Sequence, residues 1–280
     1  MPSDPRKAPL ARIAVIGVTG RMGQALLRAA PGFPQLLITG AVASAASLAL
    51  GRDAGELAGV ASTNLTVTSD LPRALADADV AIDFSHSAAT GANVAACRAA
   101  RKPLLIGTTG IDAALEPAIA AAAAEIALLV APNTSLAVAL LTELVRQSAH
   151  ALPGSFDIDV LELHHRTKRD APSGTALTLA RTAAAARGLP APSGVAETGG
   201  SSGDQGRPEG QIRVSSLRAG DIVGEHTVLF SGPGEQLVLA HRATDREIFA
   251  RGALTAALWL MSRGPGRYSM RDFVGYKTSS

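Results

Sequence analysis

Two adjacent histidines, His164 and His165, are followed by Lys168 and then by Pro172-Ser173-Gly174-Thr175, which opens a run of helical composition. An imidazole can donate a proton near neutral pH. A lysine ammonium can hold a carboxylate, or donate a proton if desolvated. A Ser-Gly-Thr turn at a helix start offers backbone N–H groups and a hydroxyl to an anion. The chemistry implied is protonation of a small anionic substrate. His164 is the candidate donor, and Lys168 with Gly174 and Thr175 forms the carboxylate cradle. A lone histidine on a strand is usually structural; a tandem pair beside a lysine and a glycine-containing helix start is a stronger sign of function. Zinc is a weaker reading, because His164 and His165 are adjacent rather than one helical turn apart and no cysteine lies nearby. No metal is expected.

The segment that must position these groups runs from Asp157 to His165 and alternates with period two. Ile158, Val160, Glu162 and His164 share one side, and His165 points the other way unless the turn begins there. A helix over 174–187 follows, then a long Gly-, Ser- and Pro-rich stretch over 188–210. Three further strands are expected over 211–217, 221–230 and 235–240, as antiparallel neighbours, with Arg218–His226 forming a hairpin. His226 reads there as an ordinary strand residue.

The first half has a different grammar. Short apolar runs at 12–17, 36–43, 80–84, 103–108 and 126–131 alternate with helical stretches at 20–30, 71–78, 88–100 and 112–124. That alternation argues for a parallel sheet covered on both faces. The first strand ends in Gly17-Val18-Thr19-Gly20-Arg21-Met22-Gly23, a glycine-spaced turn leading into a helix. Gly17 permits a sharp turn, Gly20 lets a diphosphate approach the backbone, and Gly23 lets the helix lie close on the sheet. The helix N-terminus favours anions, and Arg21 adds a charge. Gly107-Thr108-Thr109-Gly110 and Ala131-Pro132-Asn133-Thr134 end later strands, where open parallel sheets bind ligands. The second strand ends in Ala43-Ser44, with neither the carboxylate that holds a ribose nor an arginine for a 2′-phosphate. NADH and NADPH therefore both stay open as cofactors.

Composition sets the bounds. The 280 residues suffice for two domains, and 47% are apolar, although aromatics make up only 3%, so close packing of small side chains is expected. A formal charge of +2 without a dense basic patch argues against nucleic-acid binding. No apolar run approaches the roughly 18 residues that span a bilayer. Met1–Pro9 lacks the apolar core of a signal peptide, and Cys97 is the single cysteine. Together these point to a soluble protein of a reducing, cytoplasmic compartment. The expected architecture is α/β: a Rossmann-type dinucleotide-binding domain with a parallel sheet over 1–135, then a smaller α+β substrate and oligomerisation domain over 136–244. The last helix and tail, 245–280, can return to the first domain.

The chain resembles the 4-hydroxy-tetrahydrodipicolinate reductase (dihydrodipicolinate reductase) family over essentially its whole length. The markers run in order: Gly17–Gly23, Asp83-Phe84-Ser85, Gly107–Gly110, Ala131-Pro132-Asn133, the specific block Glu162–Ala176, Arg218–His226, and Tyr268–Asp272. The resemblance implies a two-domain, usually tetrameric enzyme. In such an enzyme NADPH or NADH delivers hydride to a small cyclic dicarboxylate lying between the domains, with loss of water. It implies that His164 donates the proton and that Lys168 donates or holds a carboxylate. It further implies that His165, Gly174 and Thr175 bind substrate, and that Gly17, Val18, Thr19, Gly20, Arg21, Met22, Gly107, Thr108, Thr109, Ala131, Pro132, Asn133 and Thr134 line the cofactor. The family commonly has an acid then arginine at Ala43 and Ser44, and different residues at Thr134, Ala137 and Ala139. Two rival readings are a dehydrogenase of another small amino or oxo acid and a non-catalytic dinucleotide-binding paralogue.

Overall fold

A computed structural model describes residues 10–190 and 210–275. The Gly-, Ser- and Pro-rich stretch over 188–210 falls almost wholly, and Met1–Pro9 entirely, outside these residues. The chain divides into two compact units, Met1–Ser135 with Glu247–Ser280, and Leu136–Arg246.

The first unit is built on a six-stranded parallel sheet. Its strands are β1 (Ala11–Ile16), β2 (Leu36–Val42), β3 (Val80–Asp83), β4 (Leu104–Ile106), β5 (Ala127–Val130) and β10 (Gly266–Tyr268), in the order β10-β5-β4-β3-β1-β2. A parallel sheet is covered on both faces, so its strands read as unbroken apolar runs. Ile13, Val15, Ile82, Leu104, Leu105, Ile106, Leu128 and Leu129 are all fully buried. The covering helices include α1 (Arg21–Ala29), α2 (Ala54–Leu57), α3 (Leu71–Ala76), α4 (Thr90–Ala99) and α5 (Glu116–Ala123). The chain later returns to this unit with α8 (Glu247–Leu260), β10 and α9 (Met270–Phe273). Helix α8 buries Ala250, Gly252, Ala253, Leu254, Ala256, Ala257 and Leu260, a face small enough to lie close against α1 and the sheet.

Close approach is visible at the first turn. A Cβ on Gly23 would stand 2.3 Å from the Gly17 carbonyl oxygen and 2.5 Å from Val18 Cα, so α1 seats on the loop only because position 23 has no side chain. Gly17, at φ +84°, turns the chain directly beneath the Phe84 carbonyl.

The second unit holds α6 (Leu136–Ala151), β6 (Asp157–His164), α7 (Gly174–Ala186), β7 (Ile212–Arg218), β8 (Gly224–Gly232) and β9 (Glu235–Ala243). The sheet order is β7-β6-β8-β9. Leu141 and Val145 of α6 and Leu179, Ala180 and Ala183 of α7 bury Ile158, Val160, Val214, Val228 and Phe230 of the sheet.

This order corrects the expectation that the last three strands form a run of antiparallel neighbours. β7 pairs parallel to β6, β8 pairs antiparallel to the other side of β6, and β8 and β9 alone form the antiparallel hairpin. The physical reason is α7: a strand, a helix and a second strand in succession form a crossover that returns the chain parallel to where it started. Arg218–His226 is therefore not a hairpin. Its loop passes over the end of β6, where Ala219 N–H donates to the His164 carbonyl (2.9 Å) and Arg166 N–H to the Gly220 carbonyl (3.1 Å).

Gly23→Ala is expected to destabilise the protein by about 1–3 kcal/mol through overpacking against backbone. Gly32→Ala, where a Cβ meets no atom within 4 Å, should be near neutral. Thermal unfolding of the two variants beside the parent measures the contrast.

Candidate active site

The alternation of β6 places Ile158, Val160, Glu162 and His164 on the buried side, apolar first and polar at the strand's end. Glu162 has no solvent exposure. A buried charge persists only when it is paired and hydrogen-bonded, and three elements supply the partners. Arg218 Nη2, at the end of β7, donates to Oε1 at 2.8 Å. Ser173 N–H, at the start of α7, donates to the same oxygen at 3.2 Å. Oε2 pairs with His164 Nδ1. Burial alone would raise the Glu162 carboxyl, but the contacts with His164, Arg218 and Ser216 outweigh it and hold the group well below the usual carboxylate range.

His226 on β8 is the direct cross-strand partner of Glu162. Its ring meets His164 edge-on at 5.2 Å and stacks on His241 at 6.2 Å. Burial, aided by the charges of His164, His241 and Lys168 against the opposing pull of Glu162, pushes His226 down to about 4. The ring is thus neutral at physiological pH. Its Nε2 lies 3.3 Å from the Ser173 hydroxyl, which accepts from Ala176 N–H as the N-cap of α7. One hydroxyl therefore caps the helix and contacts the second imidazole.

The remaining substrate residues surround this centre. Strand β6 ends at His164, and His165 turns outward with its Nδ1 2.7 Å from Thr167 Oγ1. Burial, then the neighbouring charges of Arg246, His164, Lys168 and Arg218, lower the His165 pKa. Lys168 Nζ is held by Asp170 at 2.7 and 2.8 Å, so its ammonium is paired rather than bare. Gly174, exposed, and Thr175, half-buried, open α7 directly after its cap. Arg218 reaches past Glu162 to the Asp170 carbonyl at 2.6 Å and so ties this loop to the sheet.

Ligand atoms of Glu162, His164 and His226 lie within 4.8 Å of one another, as metal donors can. The carboxylate, however, is already engaged by a guanidinium, an amide and an imidazole. A cation there would face Arg218, so the chemistry of the set is that of a proton-holding network.

The predicted cofactor residues all lie in the first unit, at the carboxyl ends of β1, β4 and β5. The Gly17 and Val18 amides donate to the Val42 carbonyl, and the Gly20 amide to Gly17. The anion donors left by this arrangement are those of the first turn of α1, at Arg21 and Met22. Thr19 is half-buried and Val18 fully buried, so Val18 shapes the loop rather than facing a ligand. A Cβ on Gly20 would meet only the Gly17 oxygen at 3.3 Å and the Phe84 oxygen at 4.0 Å, which leaves the loop open to a diphosphate. Gly107 is covered by the Phe84 ring, 2.2 Å from where a Cβ would stand.

Buried Asp83 ties the end of β3 to that of β4. It accepts from Ser85 N–H at 2.8 Å and Asn93 Nδ2 at 3.0 Å, and lies 3.3 Å from Thr108 Oγ1. Thr109 is exposed, as is Pro132, whereas Ala131 is buried. Asn133 Oδ1 accepts from Ser135 N–H at 2.9 Å. Thr134 is buried and its hydroxyl donates to the Phe249 carbonyl of α8 at 2.6 Å, so that proton is spent on the fold.

Sequence reasoning gave no role to Glu162 or Arg218, read His226 as an ordinary strand residue, and placed Ser173 only in the anion-binding helix start. The period-two alternation already put Glu162 beside His164. The pairing of β6 with both β7 and β8 was the missing information for Arg218 and His226.

Comparison with known proteins agrees with this layout. The family described as dihydrodipicolinate reductase, N-terminus, matches residues 11–134, and dihydrodipicolinate reductase, C-terminus, matches 137–274. A 4-hydroxy-tetrahydrodipicolinate reductase of Anaeromyxobacter dehalogenans is 44% identical over 96% of this chain and 99% of its own length. One of Alkalilimnicola ehrlichii is 46% identical over 94% and 98%. Among solved structures, dipicolinate-bound dihydrodipicolinate reductase from Paenisporosarcina sp. TG-14 shares the fold at TM-score 0.74 and 23% identity, over 93% of this chain and 97% of that one.

The lowered His226 pKa has a testable sign. Between its unfolded value of 6.5 and its folded value of about 4 the unfolded chain binds more protons. The stability this neutral ring contributes is therefore complete above pH 6.5 and is lost as pH falls toward 4. His226→Gln should flatten the dependence of Tm on pH in that window. His165 and His241, also lowered, keep part of the slope.

Proposed function

This chain belongs to the dihydrodipicolinate reductase family, and from that premise we propose how its residues divide the work. The protein is an NAD(P)H-dependent oxidoreductase that converts 4-hydroxy-tetrahydrodipicolinate to tetrahydrodipicolinate, in lysine and diaminopimelate synthesis. One substrate, one NAD(P)H and one proton give the reduced product, NAD(P)+ and water.

The loop Gly17–Met22 and the strand ends at Gly107–Thr109 and Ala131–Thr134 hold the cofactor. The α1 N-terminus and Arg21 take the diphosphate. The reduced nicotinamide supplies a hydride when bound. His164 gives the proton, Lys168 steadies a substrate carboxylate, and His165 with the Gly174–Thr175 helix start binds the rest of the dianion. Asp170, which holds Lys168, keeps that ammonium in place and is itself exposed enough to yield when a substrate carboxylate arrives. The observation that carries this reading is that one buried carboxylate, Glu162, touches both the imidazole of His164 and the first amide of the anion-binding helix start.

Ala43 and Ser44 offer neither repulsion to a 2′-phosphate nor a grip on it, and we assign use of both NADH and NADPH. For assembly we assign a homotetramer. Leu161, Leu217 and Val238 stand exposed on strands of the second unit's sheet, an apolar surface suited to burial between copies. The lone buried Cys97 suits a cytoplasmic setting, and among the described residues no helix is long and apolar enough to cross a membrane.

His164→Ala and Lys168→Ala should each lower kcat by about two orders of magnitude or more, followed as NAD(P)H oxidation with freshly condensed aspartate-semialdehyde and pyruvate product. Near-normal turnover in both would reject the roles. Light scattering on the eluting protein should give about four times the 28.4 kDa chain mass, and a charged residue at Val238 should lower it.

A further inference from the structure

We propose that Glu162 is a positioning residue for the reaction's proton: it binds the Nδ1 edge of His164 and so makes Nε2 the nitrogen that delivers the proton. The inference rests on the assignment of His164 as donor. Arg218 and the Ser173 amide both occupy Oε1, so Oε2 is the oxygen presented to the imidazole. Oε2 and Nδ1 meet as an ion pair without a hydrogen bond of ordinary geometry; because a carboxylate can only accept, the form this contact favours is the one with hydrogen on Nδ1. The opposite ring edge is approached by β8 at Gly224, where a Cβ would lie 3.0 Å from Nε2 and 3.3 Å from Cδ2. The missing side chain gives the Nε2 edge its room. His226 meets the ring edge-on, itself fixed by the Ser173 hydroxyl. The imidazole is thus gripped at one edge, while the other faces a strand position that carries no side chain.

In the step itself the Nε2–H bond breaks and the proton passes to the substrate; a bound reduced nicotinamide would supply the hydride. His164, cationic before the transfer, is left neutral with hydrogen on Nδ1, and water restores the Nε2 proton. The carboxylate stays ionised throughout. Replacement by glutamine should invert this. The amide oxygen would stay with Arg218 and Ser173, and the NH2 group would replace Oε2 opposite Nδ1. Two donors would then face each other whenever the ring is doubly protonated, and that acid form is excluded.

The test is a double-mutant cycle on the full chain, with Glu162→Gln, His164→Ala and the pair. Glu162→Gln should lower kcat about 100-fold, with a much smaller change in substrate KM. Added to His164→Ala, it should cost no more than about twofold further. Wild-type turnover in His164→Ala overturns the donor assignment and this proposal with it. A slow His164→Ala beside a fast Glu162→Gln overturns the positioning role alone, as does an equal loss from Glu162→Gln in both backgrounds. Nitrogen NMR of the histidine rings in the unmutated protein, with His164 identified by its absence in His164→Ala, needs no folded variant at position 162. Hydrogen on Nδ1 in the neutral ring supports the proposal, and hydrogen on Nε2 alone overturns it.

Discussion

A carboxylate with no exposure to water governs the second unit. Glu162 sits at the end of β6 and is held charged by donors from β6, β7 and α7. Removing any one donor leaves a buried charge short of a partner, which costs far more than an exposed pair contributes. The strand order therefore has a chemical consequence. With β6 between β7 and β8, one neighbour brings Arg218 and the other brings His226 to the same residue. Had β7 and β8 been hairpin partners, these two groups could not have flanked Glu162.

The first unit works by a different constraint. Its loop is shaped by backbone hydrogen bonds and by the absence of side chains. Gly23 lets α1 seat against Gly17 and Val18, Gly107 accepts the Phe84 ring, and Gly252 lets α8 lie on the Thr134 carbonyl, 1.9 Å from where a Cβ would stand. The scarcity of aromatics, 3% of the chain, fits this pattern of close backbone approach and alanine-lined faces. Asp83 adds a buried polar tie between the ends of β3 and β4, where a ligand-binding sheet needs its loops fixed.

Much of this was readable from sequence because it is local. The apolar runs of β1 to β5, the glycine turn before α1, the bounds of α7, and the inward set Ile158, Val160, Glu162 and His164 all follow from periodicity and turn chemistry. Pairing is not local. Three strands near one another in sequence suggested a meander, and nothing in residues 211–243 announces that β6 lies between the first two. The clue was the helix α7, since a strand–helix–strand unit closes a parallel pair. The strand β10, Gly266–Tyr268, was passed over because three residues carry no periodicity. The hydroxyl of Thr134 and the ammonium of Lys168 looked available for ligands; the fold commits the first to Phe249 and the second to Asp170.

Charge counting explains why two buried imidazoles can share one carboxylate. Arg218 already neutralises Glu162. His226, driven down by burial and by the charges around it, stays uncharged at physiological pH. A second protonated ring beside the first would repel it in a setting with little water to screen the pair. His164 is thus the one member of the cluster whose charge can change during turnover without leaving Glu162 unmatched. Loss of a proton from that ring would return the set to neutrality, with Arg218 still on the other carboxylate oxygen. The same carboxylate thus ties the strand end that bears His164 to the first turn of α7.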